Sequence, residues 1–273
     1  MPTFTALTTL TGRAPAYTLG EAMEALTPEP TGVGVFEVED GSGLWEVGGY
    51  FEEAPDTAEL PETDWVAHVR RELAPVEAGR FFVYGSHDAD KVPADCEPLL
   101  IEAAMAFGTG HHGTTLGCLR ALDRLALAGF AGSRVVDIGC GTAVLAMAAA
   151  RIWPQTVLAS DIDEVAVDVA RANVVANGLE GRVDCVEAAG FDHPALAQAA
   201  PFDLVFANIL KGPLVALAPD MAGVMAPEGY AILSGILNEQ ADEVIDVYAQ
   251  SGINLHHRES IGDWTTITLR KKT

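Results

Sequence analysis

Four groups of residues in the 273-residue chain combine types and spacings that chemistry can use. The first is VVDIGCGTA (135–143), where Gly139 and Gly141 fall between an apolar strand and a helix. Glycine lets a backbone approach a ligand closely and take positive φ without a Cβ penalty. The turn reads as a nucleoside or dinucleotide site, or as a tight strand-to-helix turn without a ligand. The second is Asp161, 22 residues after Gly139, near the offset at which a carboxylate accepts from ribose hydroxyls. Asp161 also reads as a helix N-cap, a job for which Asp163 is better placed. The third is Asn208, which ends FDLVFAN (202–208). Its side-chain and main-chain carbonyls can accept N–H bonds from an amine and aim its lone pair; a lone Asn at a strand end is more often a turn residue. The fourth is AFGTGHHGTT (106–115), a donor-rich loop opening a helix, with Thr109 between two glycines, then His111, His112, Thr114 and Thr115. Adjacent histidines do not readily face one metal, and no H-x-x-x-H or carboxylate–His spacing is present, so no metal site is expected.

Such residues need strands before them and helices after them, because ligands in open α/β sheets bind beyond the strands' carboxyl ends where strand order reverses. The chain supplies that pattern. Strands at 134–139, 156–161, 182–188, 202–208 and 230–236 alternate with helices at 142–152, 163–177, 194–200, 212–225 and 238–250. INLHHRES and TTITLR close the chain as a strand pair, and strands at 81–85 and 99–107 and a helix at 114–127 precede the glycine turn. Continuous apolar strands alternating with amphipathic helices predict an α/β fold with a parallel sheet covered on both faces. Residues 1–54 differ. A strand at 3–10, a helix with a capping-box pattern at 18–26 and a hairpin of 33–40 with 44–52 predict a small α+β, ferredoxin-like domain. Residues 55–73 read as a Pro- and acid-rich linker with a short helix at 65–73, and 74–273 as the main domain.

Composition narrows the partners. Apolar residues make up 49% of the chain and charged ones 20%, enough for a substantial core and too few charges for a disordered chain. Lys and Arg number 16 against 39 Asp and Glu, a formal net charge of -23. That balance repels phosphate backbones and anionic lipid, so direct nucleic-acid and membrane binding are disfavoured and a basic partner is favoured. Residues 1–95 alone hold 5 Lys/Arg and 18 Asp/Glu, which marks an acidic unit. Cys96, Cys118, Cys140 and Cys185 form no C-x-x-C pair, which argues against a zinc ribbon or a thioredoxin-type site and for reduced thiols in the cytoplasm. The N-terminus lacks a basic start followed by an apolar stretch, and AVLAMAAA (143–150) is too short to span a bilayer. Nothing specifies an oligomer, and a monomer is the expected state.

The G-C-G turn has Ala143 where a dinucleotide fingerprint places its third glycine. DIGCG instead resembles the first motif of S-adenosylmethionine-dependent methyltransferases of the Rossmann-like class, and Asn208 resembles the start of the N-P-P-Y motif of amine-directed members, here N-I-L-K. AFGTGHHGTT together with DIGCGT, DIDEVAV, FANILKGPL and LSGIL, over about 106–237, closely resembles the bacterial ribosomal protein L-eleven methyltransferases. The chain departs from the family at Ala143 and at Gly113, where Pro or a polar residue is frequent. The resemblance implies a seven-stranded class I methyltransferase sheet and S-adenosylmethionine as cofactor. It implies cofactor contacts from Thr115, Gly139, Asp161 and Asn208, with Gly141 in the same turn, and a lid carrying Thr109. It also implies an N-terminal domain that recognises a basic ribosomal protein, and transfer to lysine side chains and the N-terminal amine. Methylation of another protein, of a small-molecule amine or of RNA, a nicotinamide-dependent oxidoreductase and a cofactor-binding sensor are the rival readings. The acidic balance weighs against RNA, and Ala143 with the F-G-T-G-H-H loop against the oxidoreductase.

Overall fold

The computed structural model describes residues 4–12, 16, 17, 19, 23, 31–37, 43–51, 75–101 and 112–272. The 65–73 helix, most of the 18–26 helix, the outer part of the 99–107 strand, the boundaries at 54/55 and 73/74, and Thr109 and His111 all lie outside the described residues. Contacts divide the chain into two compact units, Met1–Trp65 and Val66–Thr273.

In the first unit β1 (Phe4–Thr11), β2 (Gly32–Glu37) and β3 (Leu44–Phe51) form an antiparallel sheet in the order β1-β3-β2. Alternation along β3 buries Val47, Gly49 and Phe51 on one face and leaves Leu44 and Tyr50 exposed on the other, as a two-residue period requires.

The second unit begins with a small sheet of β4 (Val76–Ala78), β5 (Phe81–Tyr84) and β6 (Glu97–Leu100), with a 3-10 turn at Ser86–Lys91. Helix α1 (His112–Leu127) then leads into β7 (Val135–Ile138), α2 (Val144–Ile152), β8 (Val157–Asp161), α3 (Glu164–Ala176), β9 (Val183–Glu187), α4 (Pro194–Ala199) and β10 (Phe202–Asn208). Helices α5 (Lys211–Ala216) and α6 (Ala218–Val224), β11 (Met225–Leu237), α7 (Ala241–Gln250), β12 (Ile253–Ile261) and β13 (Trp264–Lys271) complete the chain. The seven-stranded sheet has the order β12-β13-β11-β10-β7-β8-β9.

Its central strands β7 and β10 are apolar along most of their length because both faces are covered, whereas the edge strand β12 is largely polar. In β10, Leu204 and Phe206 point to a core shared with α1 and α2, while Val205 and Ala207 point to one shared with α5, α6 and α7. The sheet is not wholly parallel. Gly262 and Asp263 alone join β12 to β13, and a two-residue turn permits only an antiparallel pair, so β13 runs against both β12 and β11. The helix expected over 212–225 is two helices meeting at Leu217. Pro219 has no N–H to give to the carbonyl four residues back, which interrupts the ladder there. A 3-10 turn at Asn238–Gln240 opens the helix expected from 238.

The β12–β13 turn also seats α1. Asn238 donates through its main chain to Asp263 O (2.9 Å) and through Nδ2 to Gly262 O (2.9 Å), and accepts from Thr265 Oγ1 (2.7 Å). A Cβ on Gly113 would lie 3.2 Å from both Ile261 O and Trp264 Cδ1, so glycine brings the first turn of α1 down onto this turn. Glu259 accepts from Arg120 (3.1 Å) and Arg124 (3.2 Å) further along the helix.

The end of β6 is fixed by Asn177. Its Oδ1 accepts from Leu100 N (2.9 Å), and its Nδ2 donates to Leu100 O (2.7 Å) and Asn173 O (2.8 Å). This amide clamp ties the strand that enters the 102–111 segment to the end of α3. Asn177→Ala leaves part-buried backbone groups without partners and should lower stability by about 1–3 kcal/mol. A urea midpoint equal to that of the parent would show the clamp to be energetically idle.

Candidate functional site

Strand order reverses at β7, which has β8 and β9 on one side and β10 and β11 on the other. The site is therefore expected at the carboxyl ends of β7, β8 and β10. Gly139, Asp161 and Asn208 stand there.

The turn after β7 is left-handed at three residues: Gly139 (φ +66), Gly141 (φ +51) and Ala143 (φ +59). Glycine takes this region freely, whereas alanine pays about 1–2 kcal/mol. Ala143 matters for conformation as well as for packing. It is held there by its N–H to Cys140 O (2.8 Å) and by complete burial. Cys140 N donates to Ser160 O (2.9 Å), and Asn173 Nδ2 supports the turn through Thr142 O (3.2 Å).

Asp161 is the cross-brace. Its Oδ2 accepts from Gly141 N (2.9 Å), its Oδ1 from Asp163 N (3.1 Å), and its main-chain carbonyl from Ala188 N (2.8 Å). Asp163 takes the capping position of α3, accepting from Val165 N (2.9 Å). Asp161 is thus not the cap of α3, and each of its half-buried carboxylate oxygens keeps a lone pair for a further donor.

Asp137 is the residue that sequence reasoning left without a role. Ala143 stands at the N-cap of α2 and has no side-chain acceptor. Asp137 supplies one from the neighbouring strand, its Oδ2 accepting from Ala146 N (3.1 Å) and so meeting one of the helix's orphan N–H groups. It is 1% exposed, and burial pushes its carboxyl up to about 7; the Ala146 N–H pulls it down and the Asp161 charge raises it. Its one signal in the sequence is a lone acid inside an otherwise apolar strand, two residues before the first glycine.

Two of the thiols, Cys118 and Cys140, are buried and held in the protonated form. Burial raises Cys140, and it raises Cys118 on α1 despite hydrogen bonds to Ser234 and Thr266. Among the described residues no group of three or more His, Cys, Asp or Glu is placed to hold a metal.

Asn208 is half-buried at the end of β10, its backbone beside that of Ser234. Ser234 is fully buried, donating to Thr265 O (2.9 Å) and sharing a bond with Thr266 Oγ1 (3.0 Å). Thr266 fills the space over Gly117, where a Cβ would lie 2.1 Å from its Oγ1. Hence α1, which carries half-buried Thr115 in its first turn, is packed through Gly117 and Cys118 against the strand beside Asn208. Gly141 and Asp161 are joined directly by a hydrogen bond, Gly139 stands two residues before Gly141 in the same turn, and Asn208 and Thr115 are connected to it through neighbours.

The donor set tests which ligand fits. A diphosphate needs free N–H groups at the glycine turn and helix N-terminus. Here the N–H groups of Cys140, Gly141, Ala143 and Ala146 are already donated, two of them to carboxylates. Two acidic side chains beside the turn suit a hydroxyl-bearing ligand with a positive centre. That matches S-adenosylmethionine, whose ribose and sulfonium need an acceptor and tolerate nearby negative charge.

Comparison with known proteins follows the same line. A family model described as ribosomal protein L11 methyltransferase (PrmA) matches residues 46–272. Proteins named ribosomal protein L11 methyltransferase from Chelativorans sp. (strain BNC1) and Brucella suis (strain ATCC 23445 / NCTC 10510) are similar. The first is 49% identical over 219 residues, 79% of this chain and 74% of the relative. The second is 45% identical over 218 residues, 79% and 75%. Among solved structures, a ribosomal protein L11 methylase from Lactobacillus delbrueckii subsp. bulgaricus superposes with a TM-score of 0.61 at 25% identity, over 73% of this chain and 99% of that one. A methyltransferase from Pyrococcus furiosus shares the fold, with a TM-score of 0.51 at 18% identity, over 63% and 89%.

The raised Asp137 carboxyl has a consequence for stability. Unfolded, it ionises near 3.8; folded, near 7. Between these values the native state holds the extra proton, so this group makes stability fall as pH rises and stops doing so above about pH 7. Asp137→Asn keeps an oxygen for Ala146 and removes the titration. Relative to the parent, the variant should gain stability from about pH 4 to about pH 7, by at most about 1.4 kcal/mol per pH unit. A pH-independent difference between the two urea titrations would contradict this.

Proposed function

The chain belongs to the ribosomal protein L11 methyltransferase family, and from that premise we propose that it transfers methyl groups from S-adenosylmethionine to amines of ribosomal protein L11, on lysine side chains and on the N-terminal amine. The observation that carries the reading is the glycine turn in which Gly141 N and Ala146 N are donated to the Asp161 and Asp137 carboxylates and Cys140 N and Ala143 N to main-chain carbonyls, an acceptor-lined turn that suits a hydroxyl-bearing nucleoside better than a diphosphate.

Bound at this turn, S-adenosylmethionine supplies an electrophilic methyl that passes to the amine nitrogen as the C–S electron pair stays on sulfur. Asp161 accepts from the ribose hydroxyls while bracing Gly141. Gly139 and Gly141 allow close approach of the backbone, and Thr115 adds a contact from α1. Asn208 accepts N–H from the substrate amine and turns its lone pair inward. The amine has to be neutral, and a free lysine with a pKa of about 10.4 is neutral in roughly one molecule in a few thousand at pH 7. Among the described residues at the ends of β7, β8 and β10, both carboxylates are engaged: Asp161 with backbone donors, and the buried Asp137 with Ala146 N. The proton therefore leaves to water, and catalysis is mainly positioning.

Residues 1–54 form the substrate-recognition domain, 55–73 the linker and 74–273 the methyltransferase domain. The excess of 18 Asp/Glu over 5 Lys/Arg in residues 1–95 supports recruitment of a basic protein. The enzyme works in the cytoplasm, as a monomer.

Incubation of the full chain with methyl-labelled S-adenosylmethionine, purified L11 and ribosomal RNA tests the assignment. Label should appear in L11 as methylated amines, with a KM for L11 that rises with salt; label in RNA alone would overturn it. Two variants separate the roles. Asp161→Ala should weaken cofactor binding about tenfold or more in calorimetry. Asn208→Ala should lower kcat by about tenfold or more with the unfolding midpoint little changed. Unchanged binding in the first would leave Asp161 only its bracing role, and parent-like turnover in the second would remove Asn208 from the mechanism.

A further inference from the structure

Between Asn208 and helix α5 the chain passes through Ile209, which is pinned at two points. On one side Gly235 has φ +83, and a Cβ built there would lie 2.3 Å from Ile209 O, 2.7 Å from its carbonyl carbon and 2.9 Å from its nitrogen. The Ile209 backbone therefore rests on Gly235, a position only glycine can hold. Gly235 lies in the register break between β11 and β13, immediately after Ser234, the backbone neighbour of Asn208. On the other side a Cβ on Gly139 would lie 2.4 Å from Ile209 Cγ2, so that methyl sits directly on the first glycine of the turn. Ile209 is half-buried and packs on the core of this face, while Leu210 next to it is 70% exposed.

A β-branched side chain has few χ1 choices, so its γ-carbons, here including the Cγ2 methyl, are fixed relative to its backbone. Ile209 is thus a stiff spacer with its main chain set by one glycine and its methyl against another. We infer that Ile209 is a positioning residue that sets the separation between the Asn208 amide and the Gly139 turn, and with it the alignment of amine and methyl donor. The inference rests on the proposed roles of Asn208 and Gly139. A misplacement of about 1 Å can cost on the order of a hundredfold in rate, so a spacer of this kind acts on turnover more than on binding.

Substitution can separate shape from bulk. Ile209→Leu keeps the volume and removes the branch at Cβ; Ile209→Val keeps the branch and loses one methyl. Steady-state methylation of L11, cofactor calorimetry and thermal unfolding are measured on both, with Asn208→Ala assayed alongside. The leucine variant should lose about ten- to a hundredfold in kcat, with KM for L11 within about twofold. The valine variant should restore most of that loss although its core is smaller. Equal kcat in the two variants, or losses that follow the fall in unfolding temperature, would overturn the spacer role. A loss in Asn208→Ala with parent-like turnover in Ile209→Leu would overturn this inference alone. Parent-like turnover in Asn208→Ala would overturn it together with the reading of Asn208.

Discussion

The backbone N–H groups between β7 and α2 have to find acceptors, and the way they do so governs the site. In a diphosphate-binding turn those donors wait for the ligand. Here Asp161 takes Gly141, Asp137 takes Ala146, and main-chain carbonyls take Cys140 and Ala143. Four of the turn's donors are consequently met before any ligand arrives, and the carboxylate nearest to solvent beside them is that of Asp161. The buried Asp137 carboxyl is the expensive part of the arrangement, as its rise to about 7 records.

Everything else holds that turn in register with the amine side. Parallel pairing of β7 with β10 and β8 brings three strand ends level. The antiparallel β12–β13 hairpin, pinned by Asn238, gives α1 its seat, and the Ser234–Thr266–Cys118 cluster joins that helix to the strand beside Asn208. Most of the polar contacts near the site run between a side chain and the backbone, the kind that fixes geometry rather than adding much net stability.

Much of this was legible in the sequence, because it is local. Glycine spacing, the acid 22 residues on and the alternation of apolar strands with amphipathic helices each depend on neighbours along the chain. They gave the α/β class, the turn and the placing of Asp161 and Asn208 at strand ends. The break at Leu217 was also local, its cause being Pro219, and could have been read there. What stayed hidden depends on contacts distant in sequence. The capping role of Asp137 becomes visible only when Ala143 is seen to be left-handed with no acceptor of its own. Asn177 and Ile209 look like ordinary helix-end and core residues until their partners, Leu100 in one case and Gly139 and Gly235 in the other, are placed beside them.

The packing of Gly139, Ile209 and Gly235 constrains how this sequence can drift. Three positions spread over nearly a hundred residues meet at one point: the side chain of Ile209 fills the space over Gly139, and its backbone fills the space over Gly235. A side chain at 139 or 235 would meet both a backbone conformation suited to glycine and the isoleucine already in place. Neutral exploration is therefore barred one step at a time. Descendants that keep the activity should inherit the three residues as a unit, while the neighbouring exposed Leu210 is free to vary.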